Sequence, residues 1–409
     1  MSEQQPGLQP YHARERTEDT HDVFEEEASY EDAARPGTVF AAADQPYMVK
    51  ARQREEYAEG AGEEHDGAQI ASPLKLTGTT WKYSLKRTLA EFGRDQCTDM
   101  AAALTYYTVL SIFPALIALV SILGLVGEAD RVTGFFVDLV DDMTGGDEQV
   151  METVNNVVGN ITSVGGAGLG LAIGILLAIW TASNYVNAFS RAMNRIWEVE
   201  EGRSFLQLRP VLYAVTVVLI LLVAAAGVML VVSGPIAESL GNTVGLGETA
   251  LTVWSWATPV VLIVVAAAGI GLLYFATPNI RQPWSRWASA GALITIVVMV
   301  ITTVGVGFYV MNFANYEATY GALASVIIFL FWVYIMNTVL LLGAELDAEL
   351  ERGRQLQAGV EAERTILLPP RQTKGVEKKN SSYEKLVASG HALRMSKGET
   401  SDPEDLWRR

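Results

Sequence analysis

The chain has 409 residues, half of them hydrophobic, and a formal net charge of −16. With a positive mean hydropathy it is too apolar for a solvated acidic protein, so its apolar residues must be concentrated in part of its length. A single cysteine, Cys97, excludes an intramolecular disulfide framework and a cysteine metal cluster.

The segment before Leu74 carries 17 Asp and Glu against 6 Lys and Arg. It has few large aliphatic residues and runs such as Glu25-Glu26-Glu27, so it cannot bury enough apolar area to offset its ordering entropy. Residues 1–73 are therefore expected to be a disordered acidic tail. No apolar leader follows Met1, and the first hydrophobic span is expected to act as an uncleaved insertion signal.

Six apolar windows then approach or meet the roughly 20-residue length that a helix needs to cross a bilayer core of about 30 Å. They fall near Ala101–Val126, Gly165–Val186, Val211–Pro235, Val253–Ala276, Ala288–Met311 and Gly321–Gly343. Basic residues cluster on alternate connections. Lys75, Lys82, Lys86, Arg87 and Arg94 precede span 1, Arg191, Arg195, Arg203 and Arg209 lie between spans 2 and 3, Arg281 and Arg286 follow span 4, and Arg352 and Arg354 follow span 6. The other connections hold only Arg131. Basic flanks stay cytoplasmic, so both termini are expected in the cytoplasm of a bacterial inner membrane. The fold class is all-α: a six-transmembrane-helix bundle over residues 74–355, followed by a polar cytoplasmic tail over 356–409 that lacks apolar periodicity after about Leu368.

The long outer loop repeats Val132, Phe135, Phe136, Leu139 and Val140 at helical spacing opposite Asp138, Asp141 and Asp142, and Val150, Val154, Val158 and Ile161 continue the pattern. Two short amphipathic helices are expected there, as a structural cap or, across residues 127–164, as a lid or a docking surface for an envelope protein.

Span 1 is polar for a lipid-facing helix, with Thr105, Tyr106, Tyr107 and Ser111 before Pro114. Pro114 removes a backbone donor, which marks either a packed kink or a bend lining a cavity. Span 2 carries Gly166, Gly170, Gly174 and Ala178 at four-residue intervals, a stripe that permits close helix packing within the bundle or between copies. Beyond it, Asn184, Asn187, Arg191 and Arg195 share one helical face, and Asn194 follows the same end. Span 6 offers Tyr334, Asn337, Thr338, Leu341 and Glu345 as a matching face. Glu345 is expected to meet Arg191 or Arg195, as an ion pair between helix ends or as the wall of a polar vestibule.

No ionisable residue lies near the centre of a span, which argues against a midplane proton relay, and all four histidines fall in the tails. No phosphate loop, metal-ligand spacing or nucleophile motif is present, so neither a cofactor, a metal site, nor an enzymatic activity is expected.

Leu104-Thr105-Tyr106-Tyr107 through Phe113-Pro114 and Phe189-Ser190-Arg191-Ala192-Met193-Asn194-Arg195-Ile196-Trp197 resemble signature segments of the YihY/virulence factor BrkB membrane family. Tyr274-Phe275 with Pro278-Asn279, Tyr320-Gly321 before Trp332-Val333-Tyr334, and Gly343-Ala344-Glu345-Leu346 extend the resemblance over about residues 80–355. It implies a six-helix inner-membrane protein. Members have also carried the label ribonuclease BN, yet an acidic chain with histidine-free helices offers neither a catalytic site nor a nucleic-acid surface. The residues point instead to a transporter or flippase-like permease for an envelope lipid or small solute, with membrane lipids as partners, or to a non-transporting scaffold for envelope proteins.

Overall fold

The computed structural model describes residues 75–125, 167–231, 248–282, 289–313 and 323–408. Nine helices lie in these stretches: α1 Gly78–Arg94, α2 Cys97–Leu125, α3 Ala167–Ile196, α4 Phe205–Val231, α5 Glu248–Ala276, α6 Ala290–Phe313, α7 Leu323–Gln357, α8 Lys374–Met395 and α9 Pro403–Arg408. No strand forms among the described residues, and one antiparallel bridge joins Ile280 to Pro370. The chain divides into two compact units, one spanning residues 53–376 and one that includes 377–409. Helix α8, most of it in the second unit, and α9 form where the sequence suggests a structureless polar tail.

In the larger unit each of α2 to α6 packs on its successor, and α7 returns to α2, closing a ring; α7 also packs on α1 and α3. The buried core explains how neighbouring helices run. It collects Cys97, Ala101 and Leu104 from the start of α2, Phe189 to Trp197 from the end of α3, Leu212 and Val215 from the start of α4, Leu273 and Tyr274 from the end of α5, Ala292 and Ile296 from the start of α6, and Leu341 to Ala348 from the end of α7. Starts of even-numbered helices thus meet ends of odd-numbered ones, an alternating up-and-down arrangement.

Four of these helices, α4 to α7, contain stretches long and apolar enough to cross a membrane: Phe205–Gly227, Thr252–Ala276, Ala290–Val310 and Val326–Gln357. Only 11% of the apolar window of α6 is buried within the protein, and Val260, Val264, Ile301, Val304 and Phe308 are exposed. An apolar surface so extensive on helices with internally paired backbones belongs against lipid rather than water. Helices α2 and α3 have 29 and 30 residues. The amphipathic segments expected over 127–164 lie outside the described residues, as do Gly166 and the surroundings of Pro114, Gly170 and Gly174; α2 continues through Pro114.

The core end is tightened where small residues remove side chains from helix crossings. A Cβ on Gly343 of α7 would overlap the Thr295 hydroxyl of α6 and come within 2.8 Å of the Tyr274 hydroxyl of α5. With only hydrogen there, Tyr274 donates to the Leu340 carbonyl and shares a hydrogen bond with Thr295 at 3.1 Å. Three helices therefore meet at one glycine. Gly343→Ala is expected to destabilise the detergent-solubilised protein by about 1–3 kcal/mol through overpacking, and Thr295→Ala in the same chain should recover part of that loss in thermal unfolding.

A sealed polar end and a buried amide contact

The geometry of the core end begins with two helix termini. Helix α3 closes with Glu198 at φ 55°, while the Val199 N–H donates to the Asn194 carbonyl at 2.8 Å and the Glu198 N–H to the Arg195 carbonyl at 2.9 Å. This is the left-handed helix stop usually given to glycine, and a side chain there costs about 1–2 kcal/mol. The conformation is offset by what Glu198 reaches. Its carboxylate accepts from Arg352 Nη2 at 2.8 Å and from the Ile366 N–H at 3.3 Å.

Arg352 is 1% exposed. Its Nε lies 3.0 Å from Glu349 Oε1, and its Nη1 donates to the Ala362 carbonyl at 2.9 Å. Glu349, equally buried, also lies 3.2 Å from Arg87 Nε of α1, and Arg87 pairs with Glu91 one turn on. The Ser84 hydroxyl donates to the Glu349 carbonyl at 2.8 Å. One chain of opposite charges therefore binds α1, α7, the end of α3 and the segment after α7. That segment, residues 358–373, contributes buried Val360, Ala362, Ile366 and Leu368.

A second knot holds the loop after α3 to the end of α5. Arg203 grips Glu201 through Nε at 2.8 Å and Nη2 at 2.7 Å, and Nη2 also donates to the Thr277 carbonyl at 2.7 Å. Asn194 donates to Glu201 at 2.9 Å and accepts from the Asn279 N–H at 2.7 Å. Burial by itself pushes the Glu201 carboxyl up, but the hydrogen bonds and charge of Arg203, with the Asn194 amide, outweigh it and hold the carboxyl below its usual value. Asn279 donates in turn to the carbonyls of Glu200 and Gln372. Arg371 caps α5, donating to Phe275 O at 2.6 Å and Ile280 O at 2.7 Å, where a cation complements the helix dipole. Burial, and then the nearby Arg203 charge, hold Arg371 below the ordinary arginine value.

About two helical turns inward from Cys97 lies a smaller polar contact. Tyr185 of α3 donates to Asn337 Oδ1 of α7 at 3.0 Å, and Asn337 Nδ2 donates to Thr105 Oγ1 of α2 at 3.3 Å. Of the thirteen residues singled out from sequence, Thr105 and Asn337 meet here, and Asn194 sits in the second knot. Tyr107 and Tyr334 pack half-buried against the core; the Ser111 hydroxyl returns to the Tyr107 carbonyl at 2.8 Å. Tyr106 is 61% exposed, and Asn184 and Asn187 are half-buried.

The expected pairing of Glu345 with Arg191 or Arg195 does not form. Phe189, Ala192, Met193 and Ile196 take the interior face of α3, which leaves Arg191 and Arg195 on its exposed side and spares two guanidinium groups the cost of desolvation. Arg195 lies 3.6 Å from Asp95 and donates to the Arg94 carbonyl. Burial raises the Asp95 carboxyl, with Arg195 partly opposing. Glu345 is 1% exposed, and its carboxylate lies 3.9 Å from the Cys97 thiol. Burial first, and then the Glu345 charge, push that thiol up, so it is a poor nucleophile. Tyr185, Glu198 and Arg371 escaped the sequence reading because their partners lie far along the chain, and Glu201 and Glu349 because pairing with a nearby arginine does not by itself show burial.

A family model described as virulence factor BrkB matches residues 88–365. The chain belongs to this family. Among curated relatives of this BrkB-family protein, it is 30% identical over 281 residues to YfkH of Bacillus subtilis (strain 168), whose name calls it ribonuclease-like, covering 66% of this chain and 96% of that one. It is 34% identical to a UPF0761 membrane protein of Alkalilimnicola ehrlichii over 62% of this chain and 55% of the relative, and 28% identical to one of Psychrobacter sp. (strain PRwf-1) over 68% and 50%. The chain thus spans nearly all of the Bacillus protein but about half the length of the other two. No solved structure matches it. The BrkB family match, the membrane-protein relatives and the apolar helices together make it an integral membrane protein.

Arg352→Gln should leave the buried Glu349 with Arg87 alone and the half-buried Glu198 without its cation, and cost about 3 kcal/mol. Thermal unfolding in detergent measures it, and the exposed Arg191→Gln should lie within about 0.5 kcal/mol of the parent.

Proposed function

We propose that α2 and α3 cross the bilayer together with α4 to α7, giving six spans in a bacterial inner membrane with the sealed polar end and both termini on the cytoplasmic side. The alternating helix directions and the basic residues gathered at one end support this topology. In this reading residues 1–73 form an acidic cytoplasmic tail, and residues 127–164 cap the outer face.

Within that bundle we infer a permease for an envelope lipid or a small solute. The Thr105–Asn337–Tyr185 contact carries the reading. It places an amide and two hydroxyls at the junction of three helices, inward of an end that the Arg352 and Arg203 networks close. Polar groups inside a membrane bundle mark substrate paths more often than lipid-facing positions, and a closed end is what one state of an alternating-access carrier presents. The scaffold reading draws on the same closed end, since ion pairs that satisfy one another also suit a rigid platform. We read the chain as non-enzymatic; the ribonuclease-like name is YfkH's, and nucleic acid is not a partner in this reading.

Cysteine placed at exposed Ser204 or Ser401 should resist a membrane-impermeant maleimide in intact spheroplasts and react in inverted vesicles, with the parent chain as control because Cys97 is buried. Reaction in intact spheroplasts would reverse the topology.

For transport, purified protein in vesicles should accelerate the transbilayer movement of fluorescent phosphatidylglycerol or the release of trapped small solutes. Asn337→Leu removes hydrogen bonds worth about 1 kcal/mol each and should slow that movement roughly fivefold or more while the protein stays folded. Vesicles no faster than protein-free controls for either class of cargo would favour the scaffold.

A further inference from the structure

The fully buried residues of helix α1 are polar, with Trp81 and Phe92 half-buried against the core, and its leucines are exposed. Ser84 and Thr88 are its buried residues, held by the Ser84 hydrogen bond to Glu349, by Arg87 beside the Glu349 carboxylate, and by the Thr80 hydroxyl on Gln357 at 2.8 Å. Lys82, Leu85, Lys86 and Leu89, spaced i, i+3, i+4 and i+7, share the opposite side. Leu85 is 49% exposed and Leu89 70%. A helix at home in water would do the reverse.

Position and charge say what covers this strip. Only Asp95 and Gln96 separate α1 from α2, and its polar contacts run along Glu349 to Gln357, the charged end of α7 that follows its apolar run up to Ala344. The strip therefore lies at the depth where an apolar bundle gives way to water. Its charge is positive: Lys82 and Lys86 are exposed beside the leucines, whereas Glu91 of the same helix is neutralised by Arg87 at 3.3 Å. Leucines flanked by lysines suit a surface with an apolar layer below and anionic groups above.

We propose that α1 is an interfacial helix whose Lys82–Leu85–Lys86–Leu89 strip binds the headgroup layer of acidic phospholipid on the sealed side of the bundle. The leucines enter the upper acyl region while the lysine stems carry their ammonium groups to the phosphates. Each lysine near an anionic surface favours the contact by about fivefold. This surface is separate from the interior contact of Asn337, so it stands whether or not the protein transports.

The test uses the full chain in vesicles of phosphatidylcholine, with or without phosphatidylglycerol. The Leu89→Cys variant carries a bimane probe, and the unlabelled buried Cys97 serves as background. The expected result is blue-shifted emission, quenching by lipid spin-labelled near the headgroup and protection from aqueous iodide, all stronger with the anionic lipid. Lys82→Gln with Lys86→Gln should abolish that anionic enhancement, and Leu85→Cys should repeat the pattern. Iodide-accessible bimane without lipid quenching overturns the proposal, as does lipid quenching that is equal in both vesicles. Protection accompanied by disulfide crosslinking between copies of the unlabelled Leu89→Cys variant also overturns it and assigns the strip to a second copy of the chain.

Discussion

A guanidinium with no access to water must be surrounded by carboxylates and carbonyls or it will not stay buried, and Arg352 imposes that requirement on the whole sealed end. Its three partners come from α7 itself, from the left-handed stop of α3 and from the segment after α7. None of those elements can shift without stranding a charge. Arg87 extends the constraint to α1 through Glu349. Buried ion pairs add little to net stability compared with apolar packing, but broken ones are costly, so such a network selects one arrangement of the helix ends.

The rest of the bundle depends on close approach rather than charge. In lipid there is little hydrophobic gain from joining apolar helices, and contact relies on small residues and on hydrogen bonds between helices. Gly343 lets Tyr274 and Thr295 reach the backbone of α7, and Asn337 ties α7 to α2 and α3. Phe189 stacks between Tyr185 and Tyr274 with ring centroids 6.4 and 6.2 Å apart, which links the two polar contacts through an aromatic column. Helix α7 is thus common to the ion-pair chain, the glycine crossing and the amide contact. A movement of α7 would disturb all three together.

That coupling bears on function. A carrier that alternates access must break one closed end, and the Arg352 network is a closed end whose members lie on α1, α3 and α7. The same arrangement, held permanently, makes a platform. Membership of the virulence factor BrkB family and the likeness to UPF0761 membrane proteins establish a membrane protein; the carrier and platform readings are proposals.

The apolar helices were legible along the chain, whereas α1, α8 and α9 were not. Apolar windows of bilayer length, interrupted by basic clusters, are local properties of composition, and α4 to α7 cover most of four of them, with α7 running on past Gly343 to Gln357, because such helices satisfy their own backbone whatever surrounds them. Signature segments such as Phe189 to Trp197 and Pro278-Asn279 were also legible, and both lie in the sealed end. Which groups meet across the bundle was settled by folding. Helical spacing gave Arg191 and Arg195 a shared face but not which way it turned, and desolvation kept that face outside, leaving Glu345 to Cys97. Residues 358–373 looked like a polar tail because Val360, Ile366 and Leu368 are sparse and aperiodic. Their burial depends on Arg352, Gln355 and Arg371 finding backbone carbonyls and amides, a complementarity between distant segments that no periodicity within either one records.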